Sequence, residues 1–421
     1  MESQFKVDLT LQQISLTRVA INLWEQPLIK KKIRQSIITM EKTTTTATKN
    51  DNEKIKLIKL LLQQIQDMDI LDSMKHLLSC MIKPIGDRLM DWLTRIHKKL
   101  KGYTIYPTIY NYLDNIHWTT IGTIDEVKVF KKIYNNIDNV NSINMIFLFE
   151  ESCYYCLKKY ITTMWNDFSY VERDILWSKV ESNGPTPDVY NLIYWILYLS
   201  DKQLLDFIKE FSPNDYLPYK GLTDKRNMFN FSSTIGNDVS VKYFFNRLTD
   251  DEKNNYLIHA AEQLLFNEKE RQYNHSLVPI DKQINNLKFI GDTLIFFIKE
   301  MSVDTRNKFF NKSCNFILGA LARELPWRFF YLTVLNYCWS YFDDFNYQIL
   351  FNNIINIIIE ENKYNELLFE TLDFSKNQMN EFKCKLKTSQ IVISKKLNYK
   401  IIEGIINVCD NFIIKKMSDE E

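Results

Sequence analysis

Cys153 and Cys156 stand in the C-x-x-C spacing that redox pairs and zinc sites use. A redox pair works from a helix N-terminus, where the dipole lowers the thiol pKa, and a structural zinc site needs two further ligands. These two cysteines lie instead within an apolar helical run from Met145 to Trp165, and there is no second C-x-x-C. They read as two half-buried helical cysteines. His76 and Cys80, at i and i+4, would share one helix face as a zinc pair does, but no recognisable spacing supplies the remaining ligands. His97, His117, His259 and His275 are isolated, and H-E-x-x-H does not occur. Phosphate loops and nucleophile elbows need glycines at fixed offsets, and G-x-x-x-x-G-K-[ST], G-x-G-x-x-G and G-x-S-x-G are all absent. Asp67, Asp69 and Asp72 form an acidic cluster whose directions helical spacing scatters, so a solvated face is expected. No catalytic residue, metal ligand or cofactor is expected from these patterns.

Charge gives the remaining candidates. Basic residues cluster at Lys30–Arg34, at Arg95–Lys101, and at Lys383–Lys387 with Lys395, Lys396 and Lys400. Each would suit phosphates or an acidic partner. A solvated surface is the competing reading, because lysines also gather at helix C-termini through the macrodipole. Arg95, Lys98, Lys99 and Lys101 are the candidate partner contacts.

The composition narrows the class. The 421 residues carry 53 Lys and Arg against 52 Asp and Glu, a formal net charge of +1 that argues against a dedicated nucleic-acid binder. The 9 glycines and 9 prolines disfavour sandwiches, propellers and dinucleotide-binding sheets, which use these residues freely in turns. Seven scattered cysteines read as reduced thiols. Neither a secretory h-region nor an apolar stretch of spanning length is visible, since Leu192–Leu199 is the longest. A cytoplasmic protein is expected, with the nucleus left open.

Helical periodicity runs through the chain. Residues 1–40 read as an N-terminal helical segment, 41–53 with their threonine run as a flexible linker, 54–416 as a helical body and 417–421 as an acidic tail. A long helix is expected from Glu53 to about Met81, with another opened by Pro84. A loop is expected over Pro213–Asp238, and a short strand is conceivable over Gln390–Ser394. A repeat overlies this pattern. Asp138, Ser169, Ser200, Thr249, Ser302 and Asp343 are small polar residues suited to cap a helix. Each follows apolar residues at −5, −4 and −1 and precedes apolar residues at +7 and +8, as with Met164, Trp165, Phe168, Leu176 and Trp177 around Ser169. Spacings of 31 residues separate the first three caps, and later intervals are longer. The fold expected is all-α, an irregular solenoid of helix hairpins.

Leu11–Leu16 through Leu23–Pro27, and Leu325–Phe330 with Tyr337, Cys338, Trp339 and Phe342, resemble uncharacterised arthropod α-helical-repeat proteins, loosely described as ankyrin-like. The resemblance implies a helix-repeat fold over most of the chain and brings no activity or ligand. The ankyrin signature itself is absent, because Leu257–Ala261 matches it only faintly and lacks Thr-Pro. The functional expectation is a non-catalytic intracellular scaffold that binds a protein partner. The alternatives are a nucleic-acid binder using the basic clusters and an enzyme whose site assembles only in three dimensions.

Overall fold

The computed structural model describes residues 9–42, 48–101, 108–136, 142–183, 189–199, 224–273, 290–323 and 327–338. Helix α1 (Leu11–Trp24) opens on a capping box, in which Thr10 Oγ1 accepts from the Gln13 amide and Gln13 Oε1 accepts from the Thr10 amide. Helix α2 (Pro27–Lys42) begins with proline at the position where its missing N–H does no harm. Helices α3 (Thr48–Gln66) and α4 (Asp72–Lys101) follow. The expected linker is therefore shortened, because α3 starts at Thr48, and residues 43–47 lie outside the described residues.

The expected helix break also moves. It falls at 67–71, and Pro84 sits inside α4. Proline removes one helical hydrogen bond and normally kinks or ends a helix. Here tertiary packing holds α4 together. Trp24 of α1 is fully buried against it and donates Nε1–H to the Ile82 carbonyl at 2.9 Å. The indole lies where Gly86 has no side chain, since a Cβ there would stand 2.0 Å from Trp24 Cζ2. The N-terminal helices are thus part of the main packing, with α1 on α4, α2 on α3 and α3 on α4.

The chain continues through α5 (Thr108–Asp114), α6 (Glu126–Asn135), α7 (Ser142–Tyr154), α8 (Lys158–Asp167), α9 (Tyr170–Asn183) and α10 (Tyr190–Leu199). Next come α11 (Lys225–Ile235), α12 (Asp238–Phe245), α13 (Asp250–Tyr273), α14 (Gly291–Glu300), α15 (Val303–Arg323), a 3₁₀ turn at Trp327–Phe330 and α16 (Tyr331–Cys338). The fold is all-α. Among the described residues the only β pairing is a single bridge, Trp118 with Ile124, in the loop before α6. The expected loop over 213–238 holds α11 instead, capped by Asp224 and ended by Gly236 at φ 73°. Between those two residues neither proline nor glycine interrupts the turn-by-turn bonding. The strand considered near Gln390 lies outside the described residues.

Two units divide the chain. The first holds residues 1–309 and 324–330, and the second 310–323 and 331–421. In the first, α7 packs on α8 and α10, α11 on α12 and α13, and α14 on α12 and α13. In the second, Phe310, Cys314, Leu318 and Leu321 are buried, as are Tyr331, Val334, Leu335 and Cys338, and the Phe310 and Tyr337 rings meet at 6.5 Å. Among the described residues no helix is long and apolar enough to cross a membrane.

Three of the six expected caps, Ser169, Thr249 and Ser302, lie among the described residues, and all three form. Ser169 with Glu172 and Thr249 with Glu252 form reciprocal capping boxes, and the Thr305 amide donates to Ser302 Oγ at 3.2 Å. The apolar residues before them, Met164, Trp165, Phe168, Phe244, Phe245, Leu248, Phe297, Ile298 and Met301, are all buried. A further element repeats four residues after each cap, where a cation folds back over the preceding helix end. Arg173 donates to the Trp165 carbonyl at 2.8 Å and covers its ring, Lys253 covers the Phe245 ring, and Arg306 donates to the Met301 carbonyl at 3.2 Å. The caps at Asp138, Ser200 and Asp343 lie outside the described residues.

Gly86→Ala tests the α1–α4 contact. Helix propensity alone would make the change stabilising by about 1 kcal/mol. The displaced indole should outweigh that, giving a net loss of about 1–3 kcal/mol in denaturant unfolding. A more stable variant would mean that α1 does not pack as described.

Candidate functional site

Helix α4 carries Arg88, Trp92, Arg95 and Lys99 at helical spacing, so one face presents three cations and an indole. That face forms one wall of a cleft of about 950 Å³ in the first unit. Opposite it stand the loop from Thr119 to Asp125, the first turn of α6, the end of α7, the start of α12, and Asp292, Phe296 and Lys299 of α14. Seven cationic and five acidic side chains line the cleft. Gly291 lets Trp327 close in, because a Cβ at 291 would lie 2.0 Å from the Trp327 ring.

Most of these charges are matched. Arg95 bonds Glu126, which also accepts from the Tyr155 hydroxyl at 2.7 Å. Burial would lower the Arg95 pKa, but the charges of Glu126, Tyr155 and Glu151 more than offset it and raise the pKa above the ordinary value. Burial likewise pushes the Tyr155 and Tyr112 phenols up, with Glu126 and Glu151 adding to it. Lys99 pairs with Glu151, whose side chain is 1% exposed, and holds its ammonium 4.4 Å from the Tyr154 ring centre. Arg88 lies 3.6 Å from Asp292, and Lys242 3.0 Å from Asp238. Burial pushes Asp292 up to about 6, with Asp238 adding to it and Arg88 opposing it.

The cleft floor is tied by a buried polar cluster. Helix α7 stops where Cys156 adopts φ 51°, and the Tyr154 carbonyl there accepts from Asn191 Nδ2 at 3.2 Å, Asn237 Nδ2 at 3.0 Å and Ser240 Oγ at 2.9 Å. Asn237 also caps α12, its Oδ1 accepting the Ser240 amide at 3.3 Å. The Gly236 carbonyl accepts from Thr293 of α14 at 3.2 Å.

The candidates from sequence fall in three places. Arg95, Lys98 and Lys99 line the cleft, with Arg95 and Lys99 directed inward onto carboxylates and Lys98 exposed at the rim. The side chain of Lys101 lies outside the described residues, as does the cluster from Lys383 to Lys400. Arg34 pairs with Asp114 away from the cleft lining. Cys153 and Cys156 are both buried. Burial raises the Cys153 thiol well above its ordinary value and pushes Cys156 up to about 12, the opposite of what a thiolate nucleophile needs. Among the described residues no three of His, Cys, Asp and Glu come together as a metal site. Arg88 was missed, although it lies seven residues, about two helical turns, before Arg95 on the same face. Glu126, Glu151, Asn237 and Asp292 carried no sequence signal, because their partners lie 29 to 204 residues away.

Comparison with protein-family models, curated proteins and solved structures finds no match to this chain.

The pairs make two measurements decisive. Lys99→Ala should strand the buried Glu151 carboxylate and lower unfolding stability by about 2–3 kcal/mol, while Lys98→Ala should stay within about 0.5 kcal/mol. Equal effects would mean that Lys99 is a surface lysine. The Asp292 carboxyl, followed by NMR, should titrate near pH 6. Its folded pKa exceeds the unfolded value, so its contribution favours folding below about pH 4 and is lost as pH rises through about 6. A midpoint in the ordinary range near 4 would show that it is solvated.

Proposed function

We propose that this chain is a non-catalytic protein-binding module of helical-repeat type that docks its partner in the cleft of the first unit. The observation that carries this reading is the cleft itself. Its volume sits at the upper end of the roughly 300–1,000 Å³ range of ligand sites, and its walls mix half-buried apolar side chains with charges already fixed by neighbours. Ile121, Ile124, Val127 and Phe296 supply apolar contact, and Lys98, Lys242 and Lys299 form a polar rim. Half-buried apolar side chains beside exposed lysines are the mix that protein interfaces use. The paired carboxylates bind protein cations, which suits fixed complementarity better than proton transfer. A cytoplasmic setting is part of the same proposal, since the scattered spacing of the seven cysteines suits reduced thiols.

Site-specific photo-crosslinking tests the location. A benzophenone side chain placed at Ile121 and, separately, at Phe296 should give the same protein adduct in cells. The same group at Tyr170, 84% exposed on α9 and outside the cleft lining, should not give it. Adducts from Tyr170 alone, or adducts that a nuclease removes, would sink the reading.

A further inference from the structure

We infer that the hairpin of α1 and α2, which contributes nothing to the cleft lining, docks on an anionic lipid surface. The first ground is charge that the protein leaves unanswered. Among the exposed side chains of residues 9–37 are Arg18, Lys31 and Lys32, and none is Asp or Glu. Lys30 is half-buried, as is Glu25, the one acid in that stretch. Arg34 is answered by Asp114. Among the described residues no carboxylate comes within ion-pair distance of Arg18, Lys30, Lys31 or Lys32. Four cations against Glu25 leave an excess of three. On α3, Glu53 is taken up by Lys56, and exposed Lys59 adds a further cation. The exposed acids Asp67, Asp69 and Asp72 lie at the junction of α3 and α4, not on the hairpin. The macrodipole does not account for the lysines. Helix α2 starts at Pro27, so they stand in its first two turns, toward the end that disfavours cations.

The second ground is apolar exposure in the same register. Leu28 is 52% exposed and shares one face of α2 with Lys31, Lys32 and Gln35, while Ile29, Ile33 and Ile37 are buried. On α1 the exposed face carries Leu11, 83% exposed, with Ser15, Arg18 and Asn22. Cations set beside exposed leucines suit the boundary between headgroups and acyl chains. There the ammonium meets an anionic headgroup while its alkyl stem and the leucine enter the apolar layer. A nucleic acid fits less well, because single strands stack bases on open rings. The one aromatic of residues 9–37, Trp24, is fully buried, so a protein partner finds no Trp or Tyr anchor either.

Vesicle co-sedimentation of the purified full-length chain provides the test. Phosphatidylcholine vesicles with about one-third phosphatidylserine should carry the chain down, and phosphatidylcholine alone should not. Lys31→Glu with Lys32→Glu should weaken partitioning at least ten-fold, and Leu28→Gln a few-fold. The same reversal at Lys131 and Lys132, exposed on α6, should stay within about two-fold, which separates a docking face from net charge. All these side chains are exposed, so unchanged thermal midpoints are expected. Lys31→Gln with Lys32→Gln stands in if the reversal does not fold. Sedimentation that ignores phosphatidylserine overturns the inference, as does equal loss in the two reversal variants. So does unchanged partitioning in the Lys31 and Lys32 variant or in Leu28→Gln, or retention on duplex DNA that the vesicles fail to displace. Crosslinks from Ile121 and Phe296 do not depend on any of these outcomes, so the cleft reading stands or falls separately.

Discussion

The carbonyl of Tyr154 accepts three side-chain hydrogen bonds, and four parts of the first unit depend on that convergence. Cys156 holds a left-handed conformation that a non-glycine residue adopts at about 1–2 kcal/mol, and this turn ends α7 at the floor of the cleft. Asn191 reaches the carbonyl from α10, Asn237 from the turn between α11 and α12, and Ser240 from α12. All three donors are buried, so each unmade bond would leave a polar group without water and cost about 1–3 kcal/mol. Ser240 Oγ also accepts from Asn191 Nδ2 at 2.7 Å, which locks the donors to one another. Through Gly236 and Thr293 the same cluster reaches α14. The cleft walls therefore meet at one fixed point.

Above that floor, buried charge does the positioning. Isolated charges in an interior are costly, and here each is answered across elements: Arg95 of α4 by Glu126 of α6, Lys99 by Glu151 of α7, and Arg88 by Asp292 of α14. Such pairs specify how α4 sits against three other helices more than they add net stability, because desolvation offsets most of the Coulomb attraction. They also explain why a run that looks basic in sequence yields only part of its charge to the surface. Arg95 and Lys99 turn inward, and Lys98 turns out.

The helix ends follow a local rule that needs no distant partner. Ser169 and Thr249 bond their own helices through Glu172 and Glu252, three residues on. Arg173 and Arg306 close the carbonyls of the helix before. The Ser169 and Ser302 junctions thus answer an orphan amide of one helix and a carbonyl at the end of the other. Short connections with few glycines become possible, as in the two residues between α8 and α9.

This division marks what the sequence determined by itself. The all-α class, the caps at Ser169, Thr249 and Ser302, and the burial of Trp165, Phe245 and Phe297 were legible because caps bond three residues away and apolar spacing along a helix marks the face that must be buried, whatever covers it. The end of α3 was misplaced because Pro84 breaks helices locally, yet here Trp24 packs against the turn that follows it. Helix α11 was hidden because Pro213, Pro218 and Gly221 precede it and Gly236 follows it, while its own eleven residues contain neither type. The cleft was beyond sequence altogether. Asn237 meets Tyr154 across 83 residues and Arg88 meets Asp292 across 204, and no periodicity encodes which polar residue faces which. Those pairings are chosen by how the helices pack, since only packing decides which polar groups lose water together and must answer one another.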